Sequence, residues 1–169
     1  MSSNSSTELA DFESAIRAAD GDRRFFDPAQ FAWTREVERA HKPMRAELDR
    51  VLQALDILPG FEDIQVEQQG LTNDGRWKIF PLFVYGEWIA KSRQRCPATV
   101  AALEQIPGLQ AAMLSILQGG KELAAHRGPY AGVLRYHLGL KVPQPESSCG
   151  ISVGGEIRSW SEGASLVFD

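Results

Sequence analysis

A chain of 169 residues with a net charge of -4 and a pI near 5.4 has too little positive charge for a general binder of nucleic acid or anionic membrane. Its apolar fraction of 43% supplies the core of one domain, and no apolar run of roughly 18 residues marks a membrane-crossing helix. Cys96 and Cys149 are too few for a disulfide framework, and the Ser/Asn-rich opening is not a secretory signal, so a cytoplasmic protein with reduced thiols is expected.

In chain order, residues 1–7 are polar and expected to be disordered. Residues 8–19 carry Leu9, Phe12 and Ile16 at helical spacing. Phe25-Phe26-Asp27-Pro28 reads as a turn that docks two aromatics. The clearest helix is predicted over 34–55, where Val37, Ala40, Met44, Leu48, Val51, Leu52 and Leu55 recur at intervals of three and four. Pro43 inside it predicts a kink or a break. Arg35, Glu36, Glu38, Arg39 and Lys42 form its solvated face.

Past Leu58-Pro59-Gly60 the pattern turns to β. The turn signal Asn73-Asp74-Gly75 leads into an aromatic and branched strand over 77–85. A helix starts at Cys96-Pro97 and closes at Pro107-Gly108. Further strands are predicted over 111–117, 121–126, 132–142 and 149–153. Gly154-Gly155 then signals a hairpin, and 165–168 is another strand. The organisation expected is a disordered or helical segment over 1–24 and one domain over 25–169. That domain has a helical preface over 25–60 and a β part over 61–169.

Chemistry concentrates in residues 126–140. Strand side chains alternate faces, so Val133, Arg135, His137 and Gly139 share one side while Leu134, Tyr136, Leu138 and Leu140 share the other. A cation beside an imidazole is unusual in a core and suits a site that holds carboxylates. His126 and His137 are eleven residues apart, which matches no local zinc motif, and there is no nucleophile elbow, phosphate loop or dinucleotide glycine fingerprint. The residues alone give a β-rich domain with a polar His/Arg strand and no defined reaction.

An ordered series of motifs extends that reading. Gly75-Arg76-Trp77-Lys78-Ile79-Phe80, Cys96-Pro97-Ala98-Thr99 and Ile106-Pro107-Gly108 come first. His126-Arg127-Gly128-Pro129-Tyr130, Leu134 to Leu140, Cys149 to Gly154, and Trp160-Ser161-Glu162-Gly163 to Phe168-Asp169 follow. Together they resemble the aspartyl/asparaginyl β-hydroxylase family of Fe(II)- and 2-oxoglutarate-dependent dioxygenases. The resemblance implies a mainly β domain with N-terminal helices, built on a double-stranded β-helix (jelly-roll) barrel. It implies hydroxylation of a C–H bond in a peptide, amino-acid or acyl-chain substrate, with succinate and carbon dioxide as co-products.

By the same resemblance His126 is the metal ligand, with Gly128 where related oxygenases place a carboxylate. Ser115 is the hydroxyl that meets the distal carboxylate of 2-oxoglutarate, His137 reaches the same cosubstrate, and Trp77 lines the pocket. Arg135 grips a substrate anion. Animal aspartyl hydroxylases present two arginines on this strand, whereas Val133 stands at the first position here, which fits the bacterial branch better. A second iron histidine and a 2-oxoglutarate arginine are expected beyond Asp169, so the barrel and the site are expected to be incomplete within this chain. The competing expectation is a non-catalytic jelly-roll that binds a carboxylate-bearing small molecule through Arg135, His137 and Ser115.

Overall fold

The computed structural model describes residues 23–64, 71–127 and 133–169. They form two compact units: one within residues 33–126, the other joining residues up to 32 with those from 127 onward. Helices and antiparallel sheets are mixed, and among the described residues no closed barrel is formed. The helix expected over 8–19 lies outside the described residues.

The first unit opens with α1 (Ala32–Arg39), most of which lies in it, and α2 (His41–Leu52). The expected break is present but falls at Ala40 rather than Pro43. A proline is tolerated in a first helical turn, where its missing N–H would have no partner, so the helix restarts just upstream of it. Val37, Met44, Leu48 and Val51 are buried, as their spacing requires, while Arg35, Glu36, Arg39 and Lys42 are exposed. Glu47 departs from this pattern. Its buried carboxylate accepts from Ala98 N at 2.8 Å, Thr99 N at 2.9 Å and Thr99 Oγ1 at 2.6 Å. It thereby caps α5 (Pro97–Leu103), supplying acceptors to amides that have none within that helix.

A short helix, α3 (Phe61–Ile64), precedes β2 (Trp77–Val84), the centre of a sheet ordered β3-β2-β4. Its neighbours are β3 (Glu87–Trp88) and β4 (Ala111–Leu117), both antiparallel to it. A proline in a central strand removes a ladder hydrogen bond, and the register shifts just after Pro81. The Pro81 carbonyl accepts from Ser92 Oγ at 2.6 Å, on α4 (Ala90–Arg95), a helix the sequence pattern did not announce. The strand expected over 121–126 is absent. β2 begins opposite Leu117, so the chain beyond β4 runs past the end of its partner and has no described strand to pair with.

The second unit holds a sheet ordered β1-β8-β5, from β1 (Phe25–Phe26), β5 (Arg135–Leu138) and β8 (Ser165–Phe168). Phe25-Phe26, expected as a turn, is an edge strand paired with Phe168 and Val167. The strand expected over 132–142 is shorter, with residues 128–132 outside the described set. β6 (Gly150–Val153) and β7 (Glu156–Ser159) form the expected hairpin. Gly154 and Gly155 at its tip have φ +54 and +88, which a type I′ turn demands and glycine adopts without strain.

Candidate active site

Each unit carries part of the expected site. In the first, register decides which side chains meet. Trp77 is opposite Leu117 and Ile79 is opposite Ser115, so Trp77 and Ser115 are diagonal neighbours on one face of the β2–β4 ladder. The indole Nε1–H donates to Ser115 Oγ at 2.9 Å. Ser115 itself is exposed. A hydroxyl that accepts through one lone pair keeps its own O–H for another acceptor, such as a ligand carboxylate. On its other side the indole is stacked on Phe61, with ring centroids 3.7 Å apart and planes 9° apart.

His126 sits in irregular, exposed chain beyond β4. Its Nδ1 lies 2.9 Å from the carbonyl oxygen of Ala124. A carbonyl can only accept, so this is a hydrogen bond when Nδ1 carries the proton, and that tautomer leaves the Nε2 lone pair outward. Metal-binding histidines are commonly oriented in this way. The side chain therefore fits one coordination position of an iron ion. Among the described residues no group of three or more His, Cys, Asp or Glu is gathered as a metal cluster.

In the second unit Arg135 and His137 do share a face, as alternation required. Arg135 is opposite Phe168 and His137 opposite Leu166 on β8. The face is more aromatic than a polar row suggests. The His137 ring meets Phe168 edge-on at 4.9 Å and lies against Trp160 at 5.9 Å. Burial, with the Arg135 charge beside it, pushes the His137 pKa down to about 4. At neutral pH the imidazole is thus uncharged, with one N–H to donate and one nitrogen to accept. Charge on this strand comes from Arg135, whose Nη1 donates to Val133 O at 3.2 Å. Among the described residues no carboxylate reaches it, so the guanidinium can meet a ligand anion.

The chain therefore brings Trp77 together with Ser115, and Arg135 together with His137. His126 is placed at the end of the first unit. Sequence reasoning gave no role to Phe61, Trp160 or Phe168. Trp160 and Phe168 lie inside quoted motifs, but Phe61 carries no local signal, since its partner is 16 positions away in the chain.

The comparisons with known proteins follow this geometry. The family model described as Aspartyl/Asparaginyl beta-hydroxylase matches residues 38–169. An ornithine lipid ester-linked acyl 2-hydroxylase of Rhizobium tropici is 44% identical over 149 residues, covering 88% of this chain and 53% of that protein. The aspartate beta-hydroxylase domain-containing protein 2 of Homo sapiens is 35% identical over 104 residues, 58% of this chain and 27% of that protein. The Homo sapiens aspartyl/asparaginyl beta-hydroxylase is 28% identical over 150 residues, 86% of this chain and 19% of that protein. The chain thus spans about half the length of the first of these relatives and less of the others. A match over most of its residues settles the family: this chain belongs to the aspartyl/asparaginyl beta-hydroxylases.

Proposed function

We propose that the chain serves an Fe(II)- and 2-oxoglutarate-dependent hydroxylase whose substrate is the acyl chain of a lipid. The observation that carries the iron assignment is the orientation of His126, with Nδ1 tied to Ala124 and Nε2 left to bind. The substrate class rests on the likeness to the acyl 2-hydroxylase of Rhizobium tropici and on Val133, which leaves Arg135 as the one arginine of β5. The jelly-roll architecture belongs to this proposal, and the antiparallel strands of both units are the elements that such a fold uses.

When bound, iron and 2-oxoglutarate would let dioxygen serve as the oxidant, one oxygen atom going to 2-oxoglutarate as it becomes succinate and carbon dioxide and the other entering an unactivated C–H bond. The protein's part is to hold, orient and exclude water. Ser115 donates its hydroxyl to the distal carboxylate of 2-oxoglutarate. His137, kept neutral by its surroundings, gives an N–H without adding charge. Trp77 closes one wall, and Arg135 takes an anionic group of the substrate through its fork of donors.

The test is an anaerobic titration with iron(II) and 2-oxoglutarate, reading the visible charge-transfer band of chelated cosubstrate. A saturable band is expected, and His126→Ala abolishes it. A folded protein with no band, or one indifferent to His126→Ala, overturns the assignment. Where the band is present, mass spectrometry of an acylated amino-acid lipid after aerobic incubation then checks the substrate class, and one added oxygen on the acyl chain is the product that supports it.

A further inference from the structure

The segment before β2 is fastened to the start of that strand. Ile79 N donates to Pro59 O at 3.1 Å, Lys78 Nζ to Leu58 O at 2.9 Å, and Gly75 N to Glu62 Oε1 at 2.8 Å. Gly60 and Lys78 form an antiparallel bridge. In the middle of this clamp Phe61 is buried, and its ring lies flat on the Trp77 indole.

An indole has one hydrogen-bond donor, and its direction is set by the plane and rotation of the ring. Flipping the ring about its bond to Cβ would carry Nε1 away from Ser115. A flat stack at 3.7 Å resists that flip, because turning the indole through the intermediate angles would drive it into the Phe61 ring. The N–H in turn occupies a lone pair of Ser115 Oγ and narrows the directions open to the hydroxyl proton. An exposed serine is thus converted from a free rotor to an aimed donor.

We propose that Phe61 is a positioning residue for the 2-oxoglutarate site. It holds the Trp77 indole so that Trp77 aims the Ser115 hydroxyl at the distal carboxylate. This deepens the reading of Ser115 given above and rests on it. It also gives the helical segment ahead of the sheet a task beyond covering that sheet.

The experiment compares 2-oxoglutarate with 2-oxobutanoate, which keeps the iron-chelating end and lacks the distal carboxylate. Both are titrated anaerobically with iron(II) into the 169-residue chain and its variants. Phe61→Leu is expected to weaken 2-oxoglutarate by roughly tenfold, the scale of one lost aromatic contact, and to leave 2-oxobutanoate unchanged. Phe61→Tyr restores the wild-type preference. Ser115→Ala, which leaves the core untouched, gives the same selective loss even where Phe61→Leu folds poorly. Equal losses for both ligands, or none, overturn the proposal.

A second readout needs no ligand. Solvent exchange of the Trp77 indole proton, assigned through Trp77→Phe, is expected to speed up in both Phe61→Leu and Ser115→Ala. Unchanged exchange in Phe61→Leu also overturns the proposal. A wild-type chain that binds neither oxo acid sinks the reading of these residues as a 2-oxoglutarate site, and the cosubstrate role with it. The exchange rates then still decide whether Phe61 holds the Trp77–Ser115 bond.

Discussion

Lowering the pH tests the His137 environment directly. Folding holds the imidazole pKa at about 4 against an ordinary value of 6.5, first by burial and then by the Arg135 charge. Below pH 6.5 the unfolded chain binds a proton that the folded chain refuses. The stabilisation is therefore complete above pH 6.5, drains away as pH falls, and is gone below about 4. The limiting slope is about 1.4 kcal/mol per pH unit, which gives about 2 kcal/mol lost between pH 7 and pH 5. The residue as a whole is half-buried rather than fully enclosed, so that figure is an upper value. The assay is urea unfolding at pH 7, 6 and 5 at constant ionic strength, for wild type and His137→Gln. Carboxylates that titrate in both proteins cancel in the difference. The wild type should lose up to about 2 kcal/mol more than the variant over this interval. Parallel pH dependences would refute the claim that His137 is held neutral.

Glu47→Ala removes the acceptor for Ala98 N, Thr99 N and Thr99 Oγ1 and leaves buried donors unpaired, at a cost of about 2–4 kcal/mol in urea unfolding. An effect below about 1 kcal/mol, close to that of an ordinary surface change, would show that water replaces the carboxylate. A Cβ at Gly139 would lie 2.3 Å from the backbone oxygen of Ser161, so Gly139→Ala forces the backbone at the end of β5 apart. Its expected cost is about 1–3 kcal/mol, with backbone amide shifts confined to residues near 139 and 161–164. Wild-type spectra and stability would show that the approach relaxes freely.

Local pattern settled much of this molecule. The three- and four-residue spacing of Val37, Met44, Leu48 and Val51 selects a helix face because only one stripe of a helix can be buried at once. Paired glycines at 154 and 155 prescribe the hairpin, since few other residues adopt both dihedrals. Alternation put Arg135 and His137 on one face, and the ordered motifs identified the family. Tertiary structure decided the rest. Glu47 sits on a helix whose other acid, Asp49, faces water, and only the arrival of α5, some fifty residues later, turns it into a buried cap. Residues 121–126 have strand-like composition, yet a strand needs a partner, and β2 ends its ladder at Leu117. Phe61 shows no motif because its meaning lies in the ring it touches. Spacing along the chain records which side of an element is buried. Which residue waits on the other side is set by contacts between distant segments, and those determine charge state, hydrogen-bond direction and the aim of a side chain.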